Sequence, residues 1–190
     1  SRFYDKRYIS SLQAFNYILK QDVKSNIWLE AFYWRTLIYI NLQQYELAKS
    51  SLEKELKDNK ISKRNLSLLY DSMSELYYKK RDYTDLIKSL KKAVKYSSSQ
   101  EQIRRSYFII AQSFMNLNKN DSASVYFQKS IDTKANNFSD IYLDANLKLS
   151  LLKKQELDED YFNRMLRQPR NLMASSKINY YYALNSYEKG

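Results

Sequence analysis

The residue types that carry most enzyme chemistry are absent from this chain of 190 residues. It has no His and no Cys, and its single Gly is the last residue, Gly190. Without His or Cys, the chain has no Ser–His or Cys–His nucleophilic pair and no ordinary zinc or haem site. Without an interior Gly, it has no glycine-rich loop that could hold a phosphate against backbone N–H groups. We therefore predict a protein that is not an enzyme and that binds no metal, nucleotide or other cofactor.

One cluster of carboxylates remains as a candidate metal site. The run 156–160 reads Glu-Leu-Asp-Glu-Asp. It lacks the spaced oxygen ligands and the turn Gly of a calcium loop. Acidic residues also stabilise the N-terminus of a helix. We interpret the run as a solvated connector that leads into a helix.

Positive charge could attract an anionic partner. The chain has 32 Lys and Arg against 21 Asp and Glu, a net charge of +11, which would attract nucleic acid, anionic lipid or acidic proteins. Basic clusters at 79–81, 91–92 and 104–105 lie close to aromatic residues, as in single-strand nucleic-acid surfaces. The alternatives are that these charges only solvate the outer face of helices, or that they reflect AT-rich codons. A nucleic-acid-binding adaptor is therefore our third hypothesis.

The elements that position these residues should be almost entirely helical. The chain has one Pro, Pro169, and no interior Gly, so it lacks the usual hairpin turns, and its apolar residues recur at helical spacing. No segment approaches the roughly 18 to 20 consecutive apolar residues of a membrane span. The chain begins at Ser1 without Met, a signal region or a lipid-attachment Cys. We expect it to be a piece of a longer protein.

A repeated pattern runs along the chain. The segment that begins at Tyr45 recurs from Tyr83 and Asn120, and upstream from Tyr8. From 8 to 45 is 37 residues, from 45 to 83 is 38, and from 83 to 120 is 37. An apolar helix precedes each of the later three copies, with a large, a small and an aromatic residue on one face. These triplets are Phe32, Thr36 and Tyr39, then Tyr70, Ser74 and Tyr77, then Tyr107, Ala111 and Phe114.

These positions resemble the tetratricopeptide repeat (TPR), in which the triplet on helix A meets an aromatic residue, an Ala and a large residue on helix B. The resemblance implies an all-α fold, a right-handed superhelical solenoid of helix-turn-helix repeats. Three features depart from the family pattern. Arg35 stands where helix A usually has Leu, Leu86 replaces the Ala, and the terminal Pro is missing. The spacing also exceeds the usual period of about 34 residues.

The resemblance extends over nearly the whole chain, and we predict one solenoid domain over 1–190. Its approximate repeats are 1–26, 27–63, 64–100, 101–136 and 137–171, with a partial repeat at 172–190. The fifth helix A carries Tyr142, Ala145 and Leu149 and ends at Leu152. Its helix B is expected at 161–166, and 177–188 is expected to form the next helix A.

Helix A lines the concave face of a TPR superhelix, so the resemblance implies a groove that binds a protein or peptide and no small-molecule substrate. Tyr, Phe, Met and Arg are residue types that anchor interfaces. The alternative for any one of these residues is an ordinary core contact with the next repeat. Trp34, Ser72 and Ile109 occupy positions where chaperone-binding TPRs carry Asn, which disfavours that partner class. The predicted groove residues are Tyr33, Leu37, Ile40, Asn41, Glu75, Tyr78, Arg105, Phe108, Gln112 and Met115.

A narrower resemblance lies near the end of the chain. Residues 161–171, followed by 177–184, resemble the TPR lipoproteins of Bacteroidetes type IX secretion and gliding motility, the SprE/PorW family. That resemblance implies a periplasmic, lipid-anchored parent in the cell envelope that connects secretion components. The alternative is a TPR sensor or regulatory region of a signalling protein such as a histidine kinase.

Overall fold

The computed structural model describes residues 2–20, 25–57, 61–136, 139–153 and 180. Within these residues the chain forms eight helices and no strand. This result confirms the predicted all-α class. The helices are α1 (Arg2–Leu19), α2 (Asn26–Asn41), α3 (Tyr45–Leu56), α4 (Lys63–Lys79), α5 (Tyr83–Tyr96), α6 (Gln100–Asn116), α7 (Asn120–Asp132) and α8 (Asp140–Lys153).

Consecutive helices pair in the order that the repeat pattern predicts, and the bounds of the repeats stay predictions. The pairs α2–α3, α4–α5 and α6–α7 are the predicted A–B hairpins, and α8 is the predicted fifth helix A. The predicted helix B at 161–166 lies outside the described residues, as do the acidic run and Pro169. Of the predicted helix at 177–188, only Tyr180 is described, and it is helical.

The chain divides into two compact units, unit 1 (Ser1–Ser98) and unit 2 (Ser99–Gly190). In unit 1, α2 packs against α1, α3 and α4, and α4 packs against α3 and α5. In unit 2, the helices α6, α7 and α8 pack against one another. The single solenoid over the whole chain stays a prediction.

Each unit has its own core, and the repeat positions lie in these cores. The small residues of helix A, Thr36, Ser74 and Ala111, are all buried. The Thr36 hydroxyl donates to the Phe32 carbonyl oxygen at 2.8 Å, so a polar side chain is satisfied within its own helix. The helix B positions are also buried, which confirms the predicted contact. They are Ala48, Leu52, Leu86, Leu90, Ala123 and Phe127.

Serine residues fix where helix A begins. The hydroxyls of Ser25, Ser62 and Ser99 each accept a hydrogen bond from the backbone N–H three residues later, at 3.2 to 3.3 Å. Such N-caps satisfy one of the free N–H groups of the first helical turn. The three serines are 37 residues apart, since 25, 62 and 99 differ by 37. Ser139 accepts the equivalent bond from Tyr142 at the start of α8.

The same three-residue turn ends each complete helix A, at 42–44, 80–82 and 117–119. Its middle residue has a positive φ, at Gln43 (60°), Arg81 (56°) and Asn118 (56°). The next N–H donates back to helix A, as Gln44 does to the Tyr39 carbonyl at 2.8 Å. This pattern is the Schellman motif, which usually has Gly at the middle position. No residue type signals this motif in advance, because the chain has no interior Gly.

Glycine at these turns is expected to stabilise the protein. A left-handed conformation costs a non-Gly residue about 1 to 2 kcal/mol, and Gly avoids this cost. Gly also loses more conformational entropy on folding, which cancels part of the gain in stability. Gln43→Gly and Arg81→Gly should therefore each raise the free energy of unfolding by about 0.5 to 1 kcal/mol. Asn118→Gly should gain less, because Asn tolerates this conformation. Urea denaturation followed by circular dichroism measures the change.

The control is Arg105→Gly, at an exposed position inside α6. There Gly should lower the free energy of unfolding by nearly 1 kcal/mol. If Arg81→Gly lowered stability as Arg105→Gly does, the positive φ would not be a source of strain.

Arg35, one of the three departures from the TPR pattern, connects α2 to α1. Its guanidinium donates to the Asn16 side-chain oxygen at 3.2 Å and lies 5.3 Å from the Phe32 ring centre. Its Nε is buried and has no hydrogen-bond partner among the described residues. Burial lowers the pKa of Arg35, and the charges of Tyr39 and Glu55 oppose that shift. The family's usual Leu is thus replaced by a half-buried cation that contacts the preceding helix.

Candidate partner-binding surface

The solvent-exposed sides of α2 and α4 form a candidate binding surface in unit 1. The two helices pack against each other, so exposed residues on them lie on neighbouring elements of the fold. Tyr33, Leu37 and Asn41 lie on α2 at spacings of four, which places them on one face of the helix. Glu75 and Tyr78 lie on α4 at a spacing of three. We call these five residues the α2–α4 face.

The exposure of these side chains differs. Tyr78 is 53% exposed, and Asn41 is also exposed. Tyr33, Leu37 and Glu75 are half-buried, and Leu37 packs partly against the core. The face therefore combines one accessible aromatic ring with polar and apolar groups around it, as protein-binding surfaces often do.

Two of the predicted groove residues belong to the core instead. Ile40 is 2% exposed and lies in the core cluster of unit 1 with residues of α3 and α4. Phe108 is 8% exposed, and its ring meets the ring of Phe127 edge-on at 5.6 Å. Helix packing covers both side chains, so the prediction that they line a groove was wrong for these two. In unit 2, Arg105 is exposed, and Gln112 and Met115 are half-buried.

The basic cluster at Arg104 and Arg105 also requires correction, because Arg104 is fully buried. Its guanidinium donates to the carbonyl oxygens of Ser130, Thr133 and Asn136. These carbonyls lie at the C-terminus of α7 and in the link to α8, where a cation stabilises the helix end. Arg104 therefore joins α6 to the end of α7, and only Arg105 of the pair faces solvent.

Trp34 is exposed, although it is not among the predicted groove residues. It is 52% exposed, and its ring lies edge-on to Tyr33 at 5.3 Å. Of the equivalent positions on later helices, Ser72 and Leu143 are fully buried and Ile109 is half-buried. Each lies two residues before the small residue of its helix A. The signal that could have found Trp34 is its size, since it is much larger than Ser72 at the same repeat position.

The described residues contain no group of three or more His, Cys, Asp or Glu that could hold a metal ion. Burial raises the pKa of Tyr77 above its usual value. The surface presents aromatic rings, amides and isolated charges, which suit non-covalent binding to a partner.

Comparison with known proteins shows which repeat family the hairpins resemble. The tetratricopeptide repeat family profile matches residues 29–57 and 105–137, most of the hairpins α2–α3 and α6–α7. Both segments are thus similar to tetratricopeptide repeats. TPR repeats stack into extended surfaces that generally bind proteins rather than catalyse reactions.

A TPR repeat-containing protein of Methanocaldococcus jannaschii is similar to nearly the whole chain. It is 27% identical over 194 residues, an alignment that includes 97% of this chain and 32% of the relative. The chain thus spans about a third of the length of that TPR protein. Among the described residues, no helix has both the length and the apolar character that a membrane crossing requires.

Proposed function

We propose that the protein is a protein-interaction scaffold whose partner binds on the α2–α4 face. The observation that supports this proposal is the exposed ring of Tyr78 beside Glu75, on a helix that packs against the helix of Tyr33 and Leu37. An aromatic residue that enters a partner's pocket often contributes 2 kcal/mol or more, whereas a rim charge contributes less than about 1. Arg105, Gln112 and Met115 are the candidate partner contacts of unit 2, taken by itself.

Peptides selected on the intact protein test this proposal. A random peptide library displayed on phage is panned against the protein, and the selected peptides are titrated by fluorescence anisotropy. We expect the double variant Tyr33→Ala and Tyr78→Ala to bind these peptides at least tenfold more weakly.

The matched control is the double variant Lys54→Ala and Lys57→Ala, at exposed positions around the end of α3 in the same unit. It should keep the affinity of the unmodified protein. The thermal midpoint of each variant is measured beside the affinity, so that loss of fold is separated from loss of contact. A lysine variant that loses the peptides, beside a folded tyrosine variant that keeps them, would place the binding site on α3 instead.

A role in type IX secretion or gliding motility is a finer proposal. It rests on the resemblance of residues 161–171 and 177–184 to the SprE/PorW family, and a periplasmic location in the cell envelope goes with it. Its test is fractionation of the native organism: the parent protein should be found with the envelope, and its deletion should abolish secretion of type IX cargo. Normal secretion in the deletion strain would reject it.

A further inference from the structure

Two stretches of the α4–α5 hairpin of unit 1 carry positive charges only. Residues 61–70, at the start of α4, contain no Asp or Glu, and neither do residues 86–99, which cover most of α5. Both stretches carry cations, and all of these are exposed. We call the following five residues the basic end: Lys63, Arg64, Lys91, Lys92 and Lys95. In a helix surface with mixed charges, such a one-sided cluster creates a local positive potential.

Contacts between the two helices bring the two stretches together. The Ser67 hydroxyl donates to the Ala93 carbonyl oxygen at 3.3 Å. The rings of Tyr70 and Tyr96 stack, with 6.0 Å between their centres and 10° between their planes. The start of α4 and the end of α5 therefore lie at the same end of the hairpin, and their cations act together.

Two of the lysines are held in place by these rings. The Lys92 Nζ lies 5.1 Å from the centre of the Tyr70 ring, and the Lys95 Nζ lies 5.6 Å from the centre of the Tyr96 ring. Such cation–π contacts restrict the two ammonium groups before any partner arrives. Less side-chain entropy is then lost when an anion binds.

We propose that the basic end binds an acidic polypeptide segment, a stretch of a partner protein rich in Asp and Glu. Carboxylates complement its positive potential, and such complementarity speeds association and selects the partner. The basic end is a second surface, distinct from the α2–α4 face. An acidic segment can bind there whether or not a partner occupies that face.

The chemistry of the basic end favours carboxylates over the other common anions. Single-stranded nucleic acid needs open aromatic faces for its bases, whereas Tyr70 and Tyr96 stack on each other beneath lysines. Phosphate recognition also favours the bidentate fork of Arg, and four of the five cations are Lys. A membrane surface would add insertion of apolar side chains, but neither stretch has an exposed large hydrophobic residue.

The experiment measures binding of a fluorescein-labelled peptide of alternating Glu and Ser to the intact protein by anisotropy. The test variant is Lys92→Glu with Lys95→Glu. The control is Lys54→Glu with Lys57→Glu, which makes the same change in net charge at exposed positions around the end of α3. We expect the test variant to bind roughly tenfold more weakly or worse, and the control to change affinity less than about threefold. Circular dichroism checks that both variants fold.

Three results would overturn the proposal. The first is no binding of the Glu-Ser peptide at low salt, or equal binding of a Gln-Ser peptide. The second is an equal loss in the control variant, which would show that only net charge matters. The third is that an oligothymidylate or phosphatidylserine vesicles bind more tightly than the peptide and that the test variant loses this binding. That result would assign the basic end to nucleic acid or lipid. The variant Tyr78→Ala should leave the affinity for the Glu-Ser peptide unchanged. The proposal for the basic end and the proposal for the α2–α4 face can therefore be rejected independently of each other.

Discussion

Replacement of Arg104 by Ala is expected to lower the free energy of unfolding by about 3 to 5 kcal/mol. The guanidinium donates to three carbonyl oxygens and lies 4.9 Å from the ring centre of Tyr142 on α8. Its removal leaves a cavity and carbonyls without their donors. Each buried polar group without a partner costs about 1 to 3 kcal/mol, and water that enters the cavity recovers part of that loss.

The adjacent residue is a matched control, because Arg105 is exposed and has the same charge. Arg105→Ala should change the free energy of unfolding by less than about 0.5 kcal/mol. Urea denaturation followed by circular dichroism gives both values, and hydrogen exchange of α6 and α7 shows which unit is affected. Arg104→Lys keeps the charge but loses the planar fork, so it should recover little of the loss. Equal effects of the two Ala variants would mean that the buried hydrogen bonds contribute no net stability.

Phe108→Ala is expected to lower the free energy of unfolding by about 3 to 5 kcal/mol, the usual range for a buried Phe in a protein core. Phe108 lies in the core of unit 2 with Ala111, Phe127 and Ala145. The smaller side chain removes apolar contacts and leaves a cavity between α6 and α7.

Tyr78→Ala is the comparison, since Tyr78 is exposed on α4. It should change stability by less than about 0.5 kcal/mol, although both residues were predicted to line the same groove. Urea denaturation measures both variants. A small effect of Phe108→Ala would mean that its ring is dispensable for the core, and Phe108 would again be a candidate for the partner-binding groove.

The period of the sequence was sufficient to predict the helices and their pairing. Small residues such as Thr36 and Ala111 recur where two helices approach most closely, and that contact requires a small side chain whatever the neighbours are. Side-chain exposure could be predicted less well. Ile40 and Asn41 are adjacent on α2, yet one is buried and the other exposed, because exposure depends on how closely α4 packs beside it.

The charge of a residue predicted least well whether its side chain is buried or exposed. A pair of arginines predicts solvent exposure, since a buried cation normally costs several kcal/mol. Arg104 avoids that cost because the carbonyls at the end of α7 accept its hydrogen bonds. Those carbonyls are backbone groups, so no residue type in the sequence marks them. The Schellman turns were missed for a similar reason, because their bonds also join backbone groups.

The identical turns within hairpins contrast with unequal connections between them. In the three hairpins that the structure describes completely, helices A and B are joined by three residues. Between hairpins, α3 and α4 are joined by residues 57–62, α5 and α6 by 97–99, and α7 and α8 by 133–139. Recombination within a connection between hairpins would leave each hairpin's own turn and cap intact. A break inside a three-residue turn would remove the bonds that close helix A. Genes for such proteins should therefore gain and lose length in whole hairpins, and their coding boundaries should fall before the capping serines.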